Sequence, residues 1–132
     1  MRIWTKYLFL IISAIWLQLN PLLGQSGQVS EMWPDGDVLE FGSFSERGVE
    51  RLDTLALYNP TEAPFVIENI RPSCGCTAVK WPQEPIEPGT TAKIPVAFRC
   101  TKGGAVERHL DIYLSHQRKK ERIYVYADCP LR

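Results

Sequence analysis

The sequence predicts an all-β fold: an immunoglobulin-like antiparallel β-sandwich of about seven strands, preceded by an N-terminal signal-peptide helix. Three observations carry this. Short apolar stretches after residue 30 alternate with period two, as half-buried strands do. Turn residues separate them at a spacing of roughly 8–12 residues. No stretch after residue 30 keeps a helical period. A small open barrel shares this pattern and stands as the alternative architecture.

The helix is read from the first residues. Arg2 and Lys6 are basic, and residues 7–17 are apolar apart from Ser13. Gln18, Asn20 and Pro21 end the run. This is the length of a secretory signal, whereas a bilayer-spanning helix needs about 20 apolar residues. Residues 1–24 are therefore expected to be a signal peptide, cut near the small residues Gly24 or Ser26. A core helix and an uncleaved anchor are the alternatives. No cysteine lies near the cut, which argues against a lipid anchor. Residues 25–36 are expected as a linker and 37–130 as the domain. The location expected is exported: periplasmic, cell-envelope or extracellular. Membrane contact is expected only through the signal segment during export. Without residues 1–24 the chain holds 13 basic and 15 acidic residues, a net charge near −2. That balance gives no electrostatic case for nucleic acid or an anionic membrane.

The strands follow in order. Residues 38–44 read as the first, and Glu46-Arg47-Gly48 as a turn. Residues 49–58 read as the second, with Leu55 and Leu57 on one face. Pro60 and Pro64 break the ladder, because proline lacks the N–H donor. Residues 65–70 form the third strand, with Phe65, Ile67 and Asn69 on one side. Residues 77–81 form a short fourth. Pro88-Gly89 suits the central positions of a type II turn. Residues 91–100 form the fifth, with Ala92, Ile94, Val96 and Phe98 inward. Lys102-Gly103-Gly104 reads as a hairpin turn into a sixth strand, 105–115, where Leu110, Ile112 and Leu114 share a face. A charged turn, 116–121, leads to a seventh strand, 122–127.

Several strings stand out together: Phe41-Gly42 with Gly48, the run from Leu57 to Ile67 with Asn59, Pro60 and Pro64, and Pro85-Ile86-Glu87-Pro88-Gly89. Val96-Ala97-Phe98 fits the strand that follows. The most specific string is Ser73-Cys74-Gly75-Cys76-Thr77. In these strings the chain resembles a known bacterial secreted family, domain of unknown function 1573. The resemblance covers roughly residues 38–128. It implies an exported immunoglobulin-like fold, akin to major-sperm-protein-type domains, and no known reaction. The family usually shows only the two motif cysteines, so Cys100 and Cys129 depart from its pattern.

The chain has four cysteines, all in the part expected to be exported. Cys74 and Cys76 follow the third strand, Cys100 closes the fifth, and Cys129 follows the seventh. If successive strands alternate in direction, all four sulfurs lie toward one end. Three explanations compete. The first is structural disulfides, with Cys100–Cys129 favoured because two hairpins would bring the fifth and seventh strands together, and Cys74–Cys76 as a further pair. The second is a redox pair at Cys74-Gly75-Cys76, where a bridge across one residue closes a small strained ring. The third is a zinc or Cu(I) site made by the four thiolates, or by three of them with His109. Zinc sites typically space their cysteines by two to four residues, so the Cys-x-Cys knuckle departs from that pattern.

Other chemistry has little support. His109 falls on the polar side of the sixth strand, and His116 in a basic turn; both are expected to be solvated. Ser115 beside His116 is adjacency, which does not make a nucleophile and its base. The turn Arg118-Lys119-Lys120-Glu121-Arg122 is expected to be a soluble edge. Trp33, Trp81, Tyr113, Tyr124 and Tyr126 are the contact candidates; Trp81 beside Pro82 is read as a cap on the core, and covering the core is the simpler reading of Tyr124 and Tyr126. The function expected is therefore a non-catalytic exported module with no cofactor. It would bind another envelope protein or itself, and not nucleic acid. The alternative is a thiol-redox or metal-handling protein that uses Cys74-Gly75-Cys76.

Overall fold

The computed structural model describes residues 31–131. The expected signal segment and the linker up to residue 30 lie outside the described residues. Seven strands form, in order β1 (Val38–Ser43), β2 (Glu50–Tyr58), β3 (Ile67–Pro72), β4 (Thr77–Val79), β5 (Thr91–Arg99), β6 (Gly104–Leu114) and β7 (Glu121–Cys129). They make a four-stranded sheet, β1-β7-β6-β3, and a three-stranded sheet, β2-β5-β4. The architecture is thus the expected sandwich of two sheets. Its core takes Leu55, Leu57, Ile94, Val96 and Phe98 from one sheet. Leu110, Ile112, Leu114, Ile123 and Val125 come from the other. All are shut off from water, and burying such side chains is the main force holding the sheets together.

Strand direction alternates along the chain. The pairs β2–β5, β4–β5, β3–β6 and β6–β7 each join an odd to an even strand and are antiparallel. The outer pair β1–β7 joins two odd strands and is parallel. The wholly antiparallel expectation therefore misses one edge pair, for the same reason that it succeeds elsewhere.

Three further differences have physical causes. First, β5 and β6 do not form a hairpin. They lie in different sheets, so residues 100–103 cross between layers. Gly103 is needed there: a Cβ would sit 2.8 Å from the Pro130 carbonyl oxygen and the Arg47 guanidinium. Second, both edge strands of the four-stranded sheet carry a bulge. Pairing slips between Glu40 and Ser43 in β1 and between Ile67 and Asn69 in β3. Gly42, at φ 67°, provides the left-handed step in β1. The inward phase therefore shifts, from Leu39 and Phe41 to Phe44, and from Ile67 to Ile70 rather than Asn69. Third, the domain begins before residue 37. Met32 and Trp33, placed in the linker by sequence, are buried, and Tyr58 donates its N–H to the Met32 carbonyl at 2.9 Å.

The type II turn forms as expected, with Gly89 at φ 72° and the Thr90 N–H donating to the Glu87 carbonyl at 3.1 Å. Beside it, Asn59 is fully buried and its side chain makes four hydrogen bonds. Its Nδ2 donates to the carbonyls of Ala63 (3.0 Å) and Ile86 (2.8 Å). Its Oδ1 accepts from the Thr61 N–H (2.9 Å) and hydroxyl (2.7 Å). The asparagine of the β2–β3 turn is therefore a clamp that satisfies buried backbone groups.

Candidate functional site

The cysteines gather where β3, β5 and β7 finish, as strand alternation requires. They form two disulfides, Cys74–Cys76 and Cys100–Cys129. The favoured pairing forms, but not through two hairpins. Cys100 ends a strand of one sheet and Cys129 a strand of the other, so the bond staples the layers together. Both of its residues are buried in the core. The Cys74–Cys76 pair is its opposite. It spans two residues and is half-exposed, with Gly75 open to solvent.

The flanks of this small loop are pinned to both sheets. The Ser73 N–H donates to the His109 carbonyl at 2.9 Å, and the His109 N–H donates to Ser73 Oγ at 3.0 Å, fixing one side to β6. The Arg99 N–H donates to the Cys76 carbonyl at 2.9 Å, fixing the other to β5. Thr77 is buried, and its hydroxyl lies 3.8 Å from Cys74 Sγ and 4.0 Å from Cys76 Sγ. The Cys76 N–H also points at Cys74 Sγ, at 3.3 Å.

The metal reading needs free thiolates, and all four are bonded in pairs. Among the described residues, no group of three or more His, Cys, Asp or Glu side chains is placed to hold a metal ion. His109 meets the cysteine loop through its backbone. In the β6–β7 register it lies opposite Tyr124, on the outer face. His116 is exposed, yet one side of its ring is occupied: it stacks on Phe65 with centroids 4.3 Å apart.

The outer face of the four-stranded sheet is the second region of interest. Ile123, Val125 and Ala127 of β7 point inward, which leaves Tyr124 and Tyr126 outward. The two rings stack with centroids 6.5 Å apart. The simpler reading, that these tyrosines cover the core, is therefore corrected by the period-two alternation of β7. Trp33 is corrected in the other direction, into the core, while Trp81 is half-buried against it. A shallow groove of about 460 Å³ opens beside Tyr126, bordered by Glu40, Gly42, Glu107 and Asp128. It sits at the β1 bulge, where pairing with β7 slips. Burial and the Glu107 carboxylate opposite push the Tyr126 phenol above its usual range.

The basic turn is partly spent on structure. Arg122 Nε donates to Asp111 Oδ1 at 2.8 Å, and Lys120 donates to Asp111 Oδ2. The Arg122 hydrogen bonds, followed by the Lys120 contact, outweigh desolvation and hold the Asp111 carboxyl at about 2. Sequence reasoning did not single out Asp111. The available signal was a lone acid alternating with Leu110 and Ile112, four residues from the nearest other acid, Glu107.

The fold has relatives of known structure. A protein of unknown function from Porphyromonas gingivalis W83 superposes with a TM-score of 0.60 at 15% identity, over 70% of this chain and 44% of that one. The present chain thus spans less than half of that protein. The ASH/PapD-like domain 7 of human CEP192 gives 0.60 at 12% identity, over 73% of this chain and 82% of that one. The secreted serine protease VesC of Vibrio cholerae gives 0.53 at 15% identity, over 70% of this chain but 21% of that one. At these identities the likeness is one of fold. No curated protein matches the sequence. The family model described as "Protein of unknown function (DUF1573)" matches residues 34–129, which is nearly the whole described sandwich, and the chain belongs to that family.

Proposed function

We propose that the chain is an exported, non-catalytic binding module that docks another envelope protein on the outer face of its four-stranded sheet. The observation that carries this is the solvent-facing Tyr124–Tyr126 stack beside the groove at the β1 bulge. Stacked tyrosines offer a large apolar area with polar tips and lose little side-chain entropy on binding. The Glu40, Glu107 and Asp128 border favours a partner segment with basic residues. Two oxidised cysteine pairs support export, because disulfides persist outside the reducing cytosol.

The test is site-specific photocrosslinking from position 126 in intact cells. A discrete crosslinked partner, absent when the crosslinker stands at exposed Leu52 in the other sheet, is the expected result. Equal or no capture from the two positions would overturn the reading. Self-crosslinking alone would make the partner a second copy of this chain.

A further inference from the structure

We infer that Cys74–Cys76 is an exchangeable disulfide that oxidises a protein dithiol stoichiometrically, whereas Cys100–Cys129 is inert. This is separate from the binding face. Four features carry it. The bond closes a very small loop, which disfavours the oxidised form relative to a long-loop bridge. Its sulfurs are half-exposed, and the space over Gly75 is open to an incoming thiol. Its flanks are held by hydrogen bonds to β5 and β6, so the two sulfurs stay close when the bond opens. Finally, the donors favour one sulfur: the Cys76 N–H faces Cys74 Sγ at 3.3 Å, and the Thr77 hydroxyl lies 3.8 Å from Cys74 Sγ against 4.0 Å from Cys76 Sγ. Donors of this kind stabilise a thiolate, and a stabilised thiolate leaves faster.

These features assign the order of events. A partner thiolate attacks Cys76 Sγ, and the Cys74–Cys76 bond breaks with its electron pair leaving on Cys74 Sγ. A mixed disulfide then joins the partner to Cys76. The partner's second thiolate attacks the partner's own sulfur in that bond, and Cys76 leaves as a thiolate. The partner has lost two electrons and two protons and gained a disulfide. Cys74 and Cys76 have gained them as two thiols. Cys100–Cys129 cannot take part without opening the core, because both its residues are buried.

The experiment uses the mature oxidised protein with a reduced dithiol peptide, or with glutathione, quenched by acid over time and then alkylated for peptide mass spectrometry. Cys74–Cys76 should open at least about tenfold faster than Cys100–Cys129, since only the latter requires local unfolding. Glutathione should be found on Cys76 while Cys74 is alkylated. Thr77→Val should slow the opening, because it removes a donor to the leaving sulfur. A C74S/C76S variant should lose peptide oxidation while its circular dichroism stays unchanged. Equal resistance of both bonds, an adduct on Cys74, or undiminished peptide oxidation by C74S/C76S would overturn the inference.

Discussion

Replacing both residues of the Cys100–Cys129 staple with alanine gives a stability loss that can be worked from the loop it closes. The bond spans 29 residues of sequence. The chain-entropy relation, 2.1 plus 1.5R ln n in cal/mol/K, gives about 3.6 kcal/mol at 25 °C for that span. The same relation gives only about 1.2 kcal/mol for the two-residue Cys74–Cys76 span, before ring strain lowers it further. The two staples therefore differ by a factor of about three. With an unfolding entropy of about 2.1 cal/mol/K per residue for a domain of roughly 100 residues, removing the larger staple lowers Tm by about 17 °C. Urea unfolding followed by tryptophan fluorescence measures both values, since Trp33 is buried and Trp81 half-buried. A loss under about 1 kcal/mol for C100A/C129A, or a loss equal to that of C74A/C76A, would refute the assignment of the buried bond as the staple.

Other expectations follow from single side chains. Asn59→Ala leaves two carbonyls and the Thr61 donors without their partner, and should cost about 3 kcal/mol in the same urea assay. Asp111 has a folded-state value of about 2 against an ordinary 3.8, so its contribution is complete above about pH 4 and is lost as pH falls through 2. Asp111→Asn should flatten the stability profile across that window, as followed by pH-dependent unfolding. With the crosslinker moved to exposed Glu107, which borders the same groove, Tyr126→Ala should abolish partner crosslinking while leaving Tm within about 2 °C, because the ring lies outside the core. Gly42→Ala should destabilise by about 1 kcal/mol through backbone strain at φ 67° alone, since nothing crowds the new methyl.

The inner faces of the long strands were legible because burial imposes strict alternation. Leu55 and Leu57, Ile94 to Phe98, and Leu110 to Leu114 all point where period two puts them. The bulges at Gly42 and near Glu68 were not legible, because one extra residue breaks the very periodicity that locates a strand. Nor does a glycine-containing connection such as 101–103 say whether it turns within a sheet or crosses between two. The Cys100–Cys129 pairing does not depend on that distinction, since either topology brings the ends of β5 and β7 together. The outward tyrosines illustrate a different gap. Sequence placed Tyr124 and Tyr126 on one face of β7 but could not say which face the core would claim. That depended on Ile123, Val125 and Ala127 meeting the opposite sheet. Met32 and Trp33 were misplaced because a lone apolar pair in a polar stretch has no period to betray it.

The division of labour between a buried staple and an exposed, exchangeable pair is tested most directly by the cysteine connectivity of the native mature protein. Non-reducing proteolysis with mass spectrometry, after alkylation without reductant, reads it. A Cys100–Cys129 crosslinked peptide is expected in every molecule, with Cys74 and Cys76 either bonded to each other or jointly alkylated. Any bond from Cys74 or Cys76 to Cys100 or Cys129, or free thiol at Cys100 and Cys129, would contradict it.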